Sequence, residues 1–342
     1  MAQIKYLLPQ VDRYFKTQLH THSNISDGAP SPEEMKDLYK ARGFQILAVT
    51  DHNLIADHSR LNDEDFLMLT GAEYNINEDN DNGNRHWIQC KTYHMNFIAK
   101  RPDNLWQPFG PPRANERTQG YWEKTNIVNM EHVYSLECIN EMIAEANRQG
   151  FLVSYNHPSW SLQDYTDYAG LKGLWGMEIA NYDSSLHGSG DSNNSRVYND
   201  LLNQGNRLFP LGGDDAHNAG CIGGAWIMVG AQKLEYGSVI DALEKGDFYA
   251  TTGPEIDHLS YCDGKLTIRC SDAQAITLEA GNRYFKAIMP KKNDKLVRGG
   301  TIDISKWFEL CDGTSPRDWF RITVRGAYGQ YAATRAFFRD EF

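Results

Sequence analysis

The chain has 342 residues, enough for two domains at about 150 residues each. Its 34 Lys and Arg against 45 Asp and Glu leave a net charge of −11, which counts against nucleic acid or an anionic membrane as the main partner. A hydrophobic fraction of 41%, with no run of roughly 18 apolar residues, excludes a membrane-embedded chain and predicts a soluble globular one.

The first residues carry no apolar stretch of signal-peptide length. The six cysteines (Cys90, Cys138, Cys221, Cys262, Cys270, Cys311) are scattered without a Cys-x-x-Cys pair. Both features predict reduced thiols in a cytoplasmic protein.

In chain order, Phe15 to Leu19 reads as a strand leading into a His-rich turn. Ser31-Pro32-Glu33-Glu34 opens a helix, with Ser31 as N-cap, Pro32 at the first helical position and Glu34 closing a capping box; Gly43 ends it. Phe44 to Val49 follows as a buried strand, apolar almost throughout. From Asn75 to Asn129 the chain is long, polar and aromatic, with one strand (Lys91 to Ala99) and otherwise extended loops. The rhythm then resumes: a helix from Glu131 to Arg148, a strand from Phe151 to Tyr155, a strand from Leu174 to Ile179, a helix from Ser195 to Asn203, a strand from Arg207 to Leu211 and a helix from Tyr236 to Lys245. Repeated strand–helix units imply an α/β fold with a parallel sheet, open or closed. After Thr251-Thr252-Gly253-Pro254 the helical periods stop and short β-type runs take over (Ala275 to Glu279, Trp319 to Val324, Tyr331 to Phe338). The expected division is 1–254 as an α/β domain, with a loop insert at about 75–129, and 255–342 as a small β-rich domain.

The chemistry lies in where histidines and acids fall. His20 and His22 close the first strand at alternate positions, so both imidazoles reach one face. Asp27 follows in Ser26-Asp27-Gly28, and Asp51-His52 comes directly after the second strand. Glu73 ends an apolar run, His94 lies in a strand, His157 follows another in Asn156-His157-Pro158, and Asp215-Ala216-His217 comes after Leu211-Gly212-Gly213. In a parallel barrel or open sheet the C-terminal strand ends converge on one face, where active sites are built. Six His, two Asp and one Glu exceed the four to six ligands of one metal, so several ions are the economical reading. His58, His86, His132, His187 and His258 lack this context; the Gly/Ser-rich loop around His187 could bring it to the site.

The order His-x-His, Ser-Asp-Gly, Thr-Asp-His, Gly-x-Glu, His, Asn-His-Pro, Asp-x-His resembles the PHP superfamily, named for polymerase and histidinol phosphatase, over about Tyr14 to Asp247. The surroundings of His94 and the tail from Gly246 to Pro254 look more like its CehA/McbA-type metallohydrolase branch. The resemblance implies a distorted seven-stranded (β/α) barrel with two or three divalent ions: one held by His20, His22, Glu73 and Asp215, a second by Glu73, His94 and His157, a third by Asp27, His52 and His217. Asp27 stands where several relatives have His, which tilts that site towards manganese, iron or magnesium rather than zinc. Asp214 stands where the usual pattern has Ser, adding a charge beside Asp215.

Such a cluster implies hydrolysis: a water bridging two cations loses its proton near neutral pH and attacks, while the same cations neutralise charge in the transition state. His52 or His217, when not occupied by a third metal, would protonate the leaving group, and Asp51 and Asn156 flank ligands as residues that fix imidazole tautomers, Asp51 being equally readable as a turn residue. Arg85, Arg113 and Arg117 of the insert, with His187, are the expected substrate contacts, and Trp87, Trp106, Tyr121 and Trp122 offer stacking surfaces. The first reading is a phosphoesterase acting on a small phosphorylated molecule. An ester, carbamate or amide hydrolase on the same metals is the second, and a non-catalytic PHP scaffold the third.

Overall fold

The computed structural model describes residues 3–78, 86–110 and 118–342. Local signals account for its helices. In Pro32–Lys40 the Ser31 side chain accepts from the Glu34 N–H at 3.2 Å and the Glu34 carboxylate accepts from the Ser31 N–H at 2.8 Å, while Met35 and Tyr39 turn inward. The expected helix from Glu131 begins only at Leu136, because Ser135 is extended and caps the Cys138 N–H. Helices Ser195–Asn203 and Tyr236–Lys245 fall where the sequence predicts them.

A large mixed sheet organises the chain. Its first part runs, strand beside strand, Phe209–Gly213, Gly176–Asn181, Phe151–Tyr155, Thr92–Ala99, Leu67–Asn77, Ile46–Val49, Phe15–Gln18, Trp226–Val229 and Phe248–Thr251. Ile46–Val49 is buried on both faces, worth about 1.5–3 kcal/mol for each large apolar side chain. The all-parallel sheet expected from the repeats is corrected here. Phe15–Gln18, Ile46–Val49 and Leu67–Asn77 are parallel, as are Phe151–Tyr155, Gly176–Asn181 and Phe209–Gly213, but Thr92–Ala99 runs antiparallel to both neighbours. A parallel return needs a crossover, generally a helix. The connection from Asn77 to Thr92 has only a single 3₁₀ turn among its described residues.

Backbones at the two ends of the strand series Phe15 to Gly213 come together. A Cβ placed on Gly212 would lie 2.7 Å from the Trp226 backbone, and the His22 and Asp215 N–H groups donate to Ala216 and His20 carbonyls at 3.0 and 2.9 Å. These contacts set the turn after Gly213 against the turn after Gln18.

Beyond Phe248–Thr251 the sheet continues through Tyr331–Thr334, Trp319–Arg325, Ala275–Ala280 and Phe285–Ile288. A four-stranded antiparallel sheet, formed by Lys5–Tyr6, Ile256–Cys262, Lys265–Ala273 and Val297–Asp303, packs on it through Leu259, Leu266, Ile268, Ile276, Phe320 and Ile322. One α-helix, Ser305–Leu310, lies within the β-rich segment expected here, and its Trp307 fills that second core. All six cysteines are free, and no helix among the described residues is long and apolar enough to cross a membrane.

Candidate metal centre

Nine residues chosen from sequence meet at one end of the sheet. Glu73 is their hub. Its Oε1 lies 3.2 Å from His20 Nε2, 3.1 Å from His94 Nδ1 and 3.2 Å from His157 Nε2, and its Oε2 lies 3.3 Å from both His22 Nε2 and His52 Nδ1. Asp215 Oδ1 completes the inner group, 3.2 Å from His20 Nε2 and 3.0 Å from His22 Nε2. Glu73 lies inside a strand rather than at its end, because Leu67–Asn77 runs on past the parallel pairing to pair with Thr92–Ala99. That antiparallel strand begins at the face where its neighbours finish, which puts His94 there too. Asp215 adopts the left-handed region (φ 55°), a conformation sparsely used by non-glycine residues and common at functional sites.

The remaining ligands form an outer trio. Asp27 Oδ2 lies 3.6 Å from His52 Nε2 and 3.5 Å from His217 Nε2, and its Oδ1 lies 3.7 Å from His22 Nδ1. This trio is the open side: the Asp27 side chain is 54% exposed, whereas Glu73 is 1% exposed.

The inner group fits a divalent cation on its own geometry. His52 Nδ1, Glu73 Oε2, His94 Nδ1 and Asp215 Oδ1 are buried without a hydrogen-bond partner. Each such desolvated group costs about 1–3 kcal/mol, and cations held in neighbouring sites that share Glu73 would satisfy them. The sets His20/His22/Glu73/Asp215, His52/Glu73/His94 and His22/Asp27/His52/His217 each bring their donor atoms within 4.8 Å of one another. Electrostatics agree. Burial alone would raise Glu73 and Asp215, yet the surrounding imidazoles hold both well below the carboxylate range. Burial would lower His157 and His217, but the acids hold them up at about 9 and about 11; burial together with His22 pushes His52 down to about 3.

The surrounding shell contains residues the sequence reading missed. Glu178 Oε1 lies 2.7 Å from His20 Nδ1, and Glu178 Oε2 accepts from the His157 N–H at 3.2 Å and Asn181 Nδ2 at 2.9 Å. Asp183 lies 3.5 Å from His217 Nδ1. The signal for Glu178 was a lone acid in the apolar strand Gly176–Asn181. Asn156 donates to Glu73 Oε1 at 2.9 Å, so it orients the carboxylate rather than an imidazole. Asp51 accepts from the Ser23 and Ser26 N–H and hydroxyl groups at 2.7–3.2 Å, holding the turn that presents His22 and Asp27. Asp214 points away from the centre: it is buried and accepts from Gly223, Gly224 and Ala225 N–H groups and the Tyr39 hydroxyl.

A cleft of about 1020 Å³ opens over the ligands, lined also by Asn53, Asn75, Asn77, Trp160, Leu162 and His187. His187 thus lies at the mouth, exposed. Arg85, Arg113 and Arg117 fall outside the described residues, as does the Trp87 side chain. Trp106 is buried against Phe97 and Phe151 and Tyr121 packs against His58, so neither lines the cleft.

The sequence profile of the PHP domain matches residues 18–198, just over half of the chain, and the protein belongs to that family. No curated protein matches the chain. Among solved structures it is similar to a two-domain protein from Bacteroides vulgatus ATCC 8482 containing a predicted PHP-like metal-dependent phosphoesterase, at 16% identity over 97% of this chain and 98% of that one, TM-score 0.45. It is also similar to an amidohydrolase from Chromobacterium violaceum, at 17% identity over 59% of this chain and 87% of that one, TM-score 0.34.

Proposed function

We propose that the protein is a metal-dependent hydrolase of phosphoric esters, acting on a small molecule that enters through the cleft. The observation that carries this reading is the focus of buried, unpartnered donors around Glu73, open to the cleft at the Asp27 side. His20, His22, Glu73 and Asp215 would hold one ion, Glu73, His94 and His157 a second, and Asp27, His52 and His217 a third. The nitrogen and carboxylate donors suit manganese, iron or zinc, with magnesium favoured only where carboxylates dominate. When bound, such ions supply Lewis acidity and a water of lowered pKa. The chain itself contributes orientation: Glu178 holds His20, Asn156 holds Glu73, and Asp51 holds the turn bearing His22. When Asp27, His52 and His217 hold no third ion, His217, paired with Asp183 and Asp27 at the open rim, is placed to hand a proton to a leaving group, whereas His52, pushed down to about 3, carries none to give.

The barrel reading is supported by the approach of Gly212 to the Trp226 backbone and by the hydrogen bonds joining the turns after Gly213 and Gln18. We take 1–254 as the metallohydrolase unit and 255–342 as an appended β-rich unit with a second core, to which Leu7, Leu8 and the strand Lys5–Tyr6 at the start of the chain also contribute. A cytoplasmic setting is supported by the free cysteines.

A carboxylic ester, carbamate or amide is the second reading. It is favoured by a cleft without Arg or Lys among its described lining residues and with Ile88, Trp160 and Leu162 on its wall. Metal analysis paired with p-nitrophenyl phosphate and p-nitrophenyl acetate assays in added manganese separates the two. At least two metals per chain with phosphate release lost in His22→Ala is the expected result. Acetate cleavage alone moves the assignment to carbonyl chemistry, and failure to take up metal under any loading condition leaves a non-catalytic PHP scaffold.

A further inference from the structure

We infer that the group attached to the scissile bond is neutral and hydroxyl-rich, a sugar or polyol, read by a row of carboxamides on one wall of the cleft. The inference rests on the hydrolase reading for the bond cleaved, but not for the recognition.

Glu73, Asn75 and Asn77 occupy alternate positions of one strand, so the side chains share a face. Across the ladder Asn75 stands opposite His94 and Asn77 opposite Thr92. Asn53, beside His52, joins the row: its Nδ2 donates to Asn75 Oδ1 at 2.5 Å, and the Asn75 N–H donates to Asn53 Oδ1 at 3.2 Å. Asn75 Nδ2 in turn lies 3.5 Å from Asn77 Oδ1. Asn53, Asn75, Asn77 and Thr92 all line the cleft, so the polar strip starts at the inner ligands and leads away from them.

Three properties of the strip define the ligand chemistry. First, every carboxamide has two donors and two acceptor lone pairs, and the contacts within the row leave part of that capacity facing the cleft. Groups that both donate and accept, as hydroxyls do, match it best. Second, the described lining contains no Arg or Lys, while Asp27, Asp183, Glu73 and Asp215 are all acidic. No Arg or Lys among the described lining residues would compensate an anionic group held away from the metals, so the part of the substrate lying on the strip is uncharged. Third, Asn75 and Asn77 stand roughly 6.6 Å apart along the strand but their carboxamides come within 3.5 Å, so they present adjacent donor and acceptor groups, as neighbouring hydroxyls on a sugar or polyol require. Ile88, Trp160 and Leu162 supply apolar surface for the C–H side of such a ring, and about 1020 Å³ is ample for it.

The test uses the full-length, manganese-loaded protein and a fixed set of neutral probes: glucose, galactose, mannose, N-acetylglucosamine, ribose and myo-inositol. Binding of each is measured by calorimetry, and kcat/KM is measured for their monophosphates against phenyl phosphate. At least one probe is expected to bind, and its phosphate to be preferred at least tenfold over phenyl phosphate. Asn77→Ala and the size-matched Asn77→Leu are both expected to cut that preference at least tenfold, mainly through KM, with metal content unchanged. If no probe binds and phenyl phosphate is cleaved as well as every sugar phosphate, the inference is overturned while the phosphoesterase stands. If probes bind in an Asn77-dependent way but no phosphate ester is cleaved, recognition stands and the phosphoesterase assignment falls. Binding untouched by both Asn77 variants overturns the assignment of the strip.

Discussion

Glu178 Oε1 lies 2.7 Å from His20 Nδ1, with both side chains buried, and this pair fixes which way the imidazole faces. With Nδ1–H donated to the carboxylate, the Nε2 lone pair is aimed at Glu73 and Asp215, each 3.2 Å away. A bare lone pair facing two carboxylates is repulsive; a proton or a cation between them is attractive. Partners behind a ligand imidazole commonly contribute 10–100-fold to metal affinity. Glu178→Ala is therefore expected to weaken metal binding about 10–100-fold, and Glu178→Gln less, since its amide oxygen still accepts from His20. Metal titration by calorimetry checks this, and an unchanged affinity in Glu178→Ala would reduce the pair to a packing contact.

Gly213 makes the same point by a steric route. A Cβ at this position would collide with the Glu178 carboxylate and come 3.4 Å from His20 Cβ. Its backbone is not in the left-handed region, so alanine adds no conformational strain, only bulk. Gly213→Ala should displace Glu178 and reproduce the metal-affinity loss of Glu178→Ala, although every ligand and the acid itself remain. Wild-type affinity in Gly213→Ala would mean that Glu178 can shift without consequence for His20.

Much of this centre was legible in sequence because its ligands sit where apolar runs stop: His20 and His22 after Phe15–Gln18, His52 after Ile46–Val49, His157 after Phe151–Tyr155, Asp215 after Phe209–Gly213. Strand direction was not legible. A strand buried along its whole length, such as Thr92–Ala99, reads the same whichever way it pairs, so the antiparallel insertion appeared only in three dimensions. Glu178 was hidden by the opposite problem. It stands within an otherwise apolar strand, and an acid there acquires meaning only when His20 is found beside it. The extra acid Asp214 was visible, but successive residues can face opposite ways, and the sequence carried no sign that it turns from the centre.

That turn has a measurable consequence. Asp214 accepts from Gly223, Gly224 and Ala225 N–H groups at 2.8–3.0 Å and from the Tyr39 hydroxyl at 3.1 Å, so it fastens the Gly223–Ala225 segment to the helix bearing Tyr39. Asp214→Ala leaves these buried donors unpaired, at about 1–3 kcal/mol each for those that water does not reach. Denaturant unfolding should show a loss of at least that size, while metal stoichiometry at saturation stays that of the wild type. Loss of one bound metal with unchanged stability would instead place Asp214 among the groups that govern the centre.

Proton counting offers an independent view of metal uptake. In the metal-free protein the acids hold His157 at about 9, His217 at about 11 and His20 well above its ordinary value, against the effect of burial, so these imidazoles are protonated at pH 7. A cation takes the lone pair that the proton occupies, so metal binding must release protons and strengthen as pH rises from 6 to 8. Calorimetry at pH 7 in buffers of different ionisation enthalpy should register at least one proton released per chain. Stability carries the matching sign. A histidine whose folded pKa is raised contributes fully below its unfolded value, about 6.5, and that contribution is lost as pH rises through the folded value. The metal-free protein should therefore soften as pH passes about 9, where His157 titrates, whereas the metal-loaded protein should not, because the cation has replaced the proton. Metal uptake with no proton release would show that the carboxylates and imidazoles do not face one another as closely as Glu73 and His157 do at 3.2 Å.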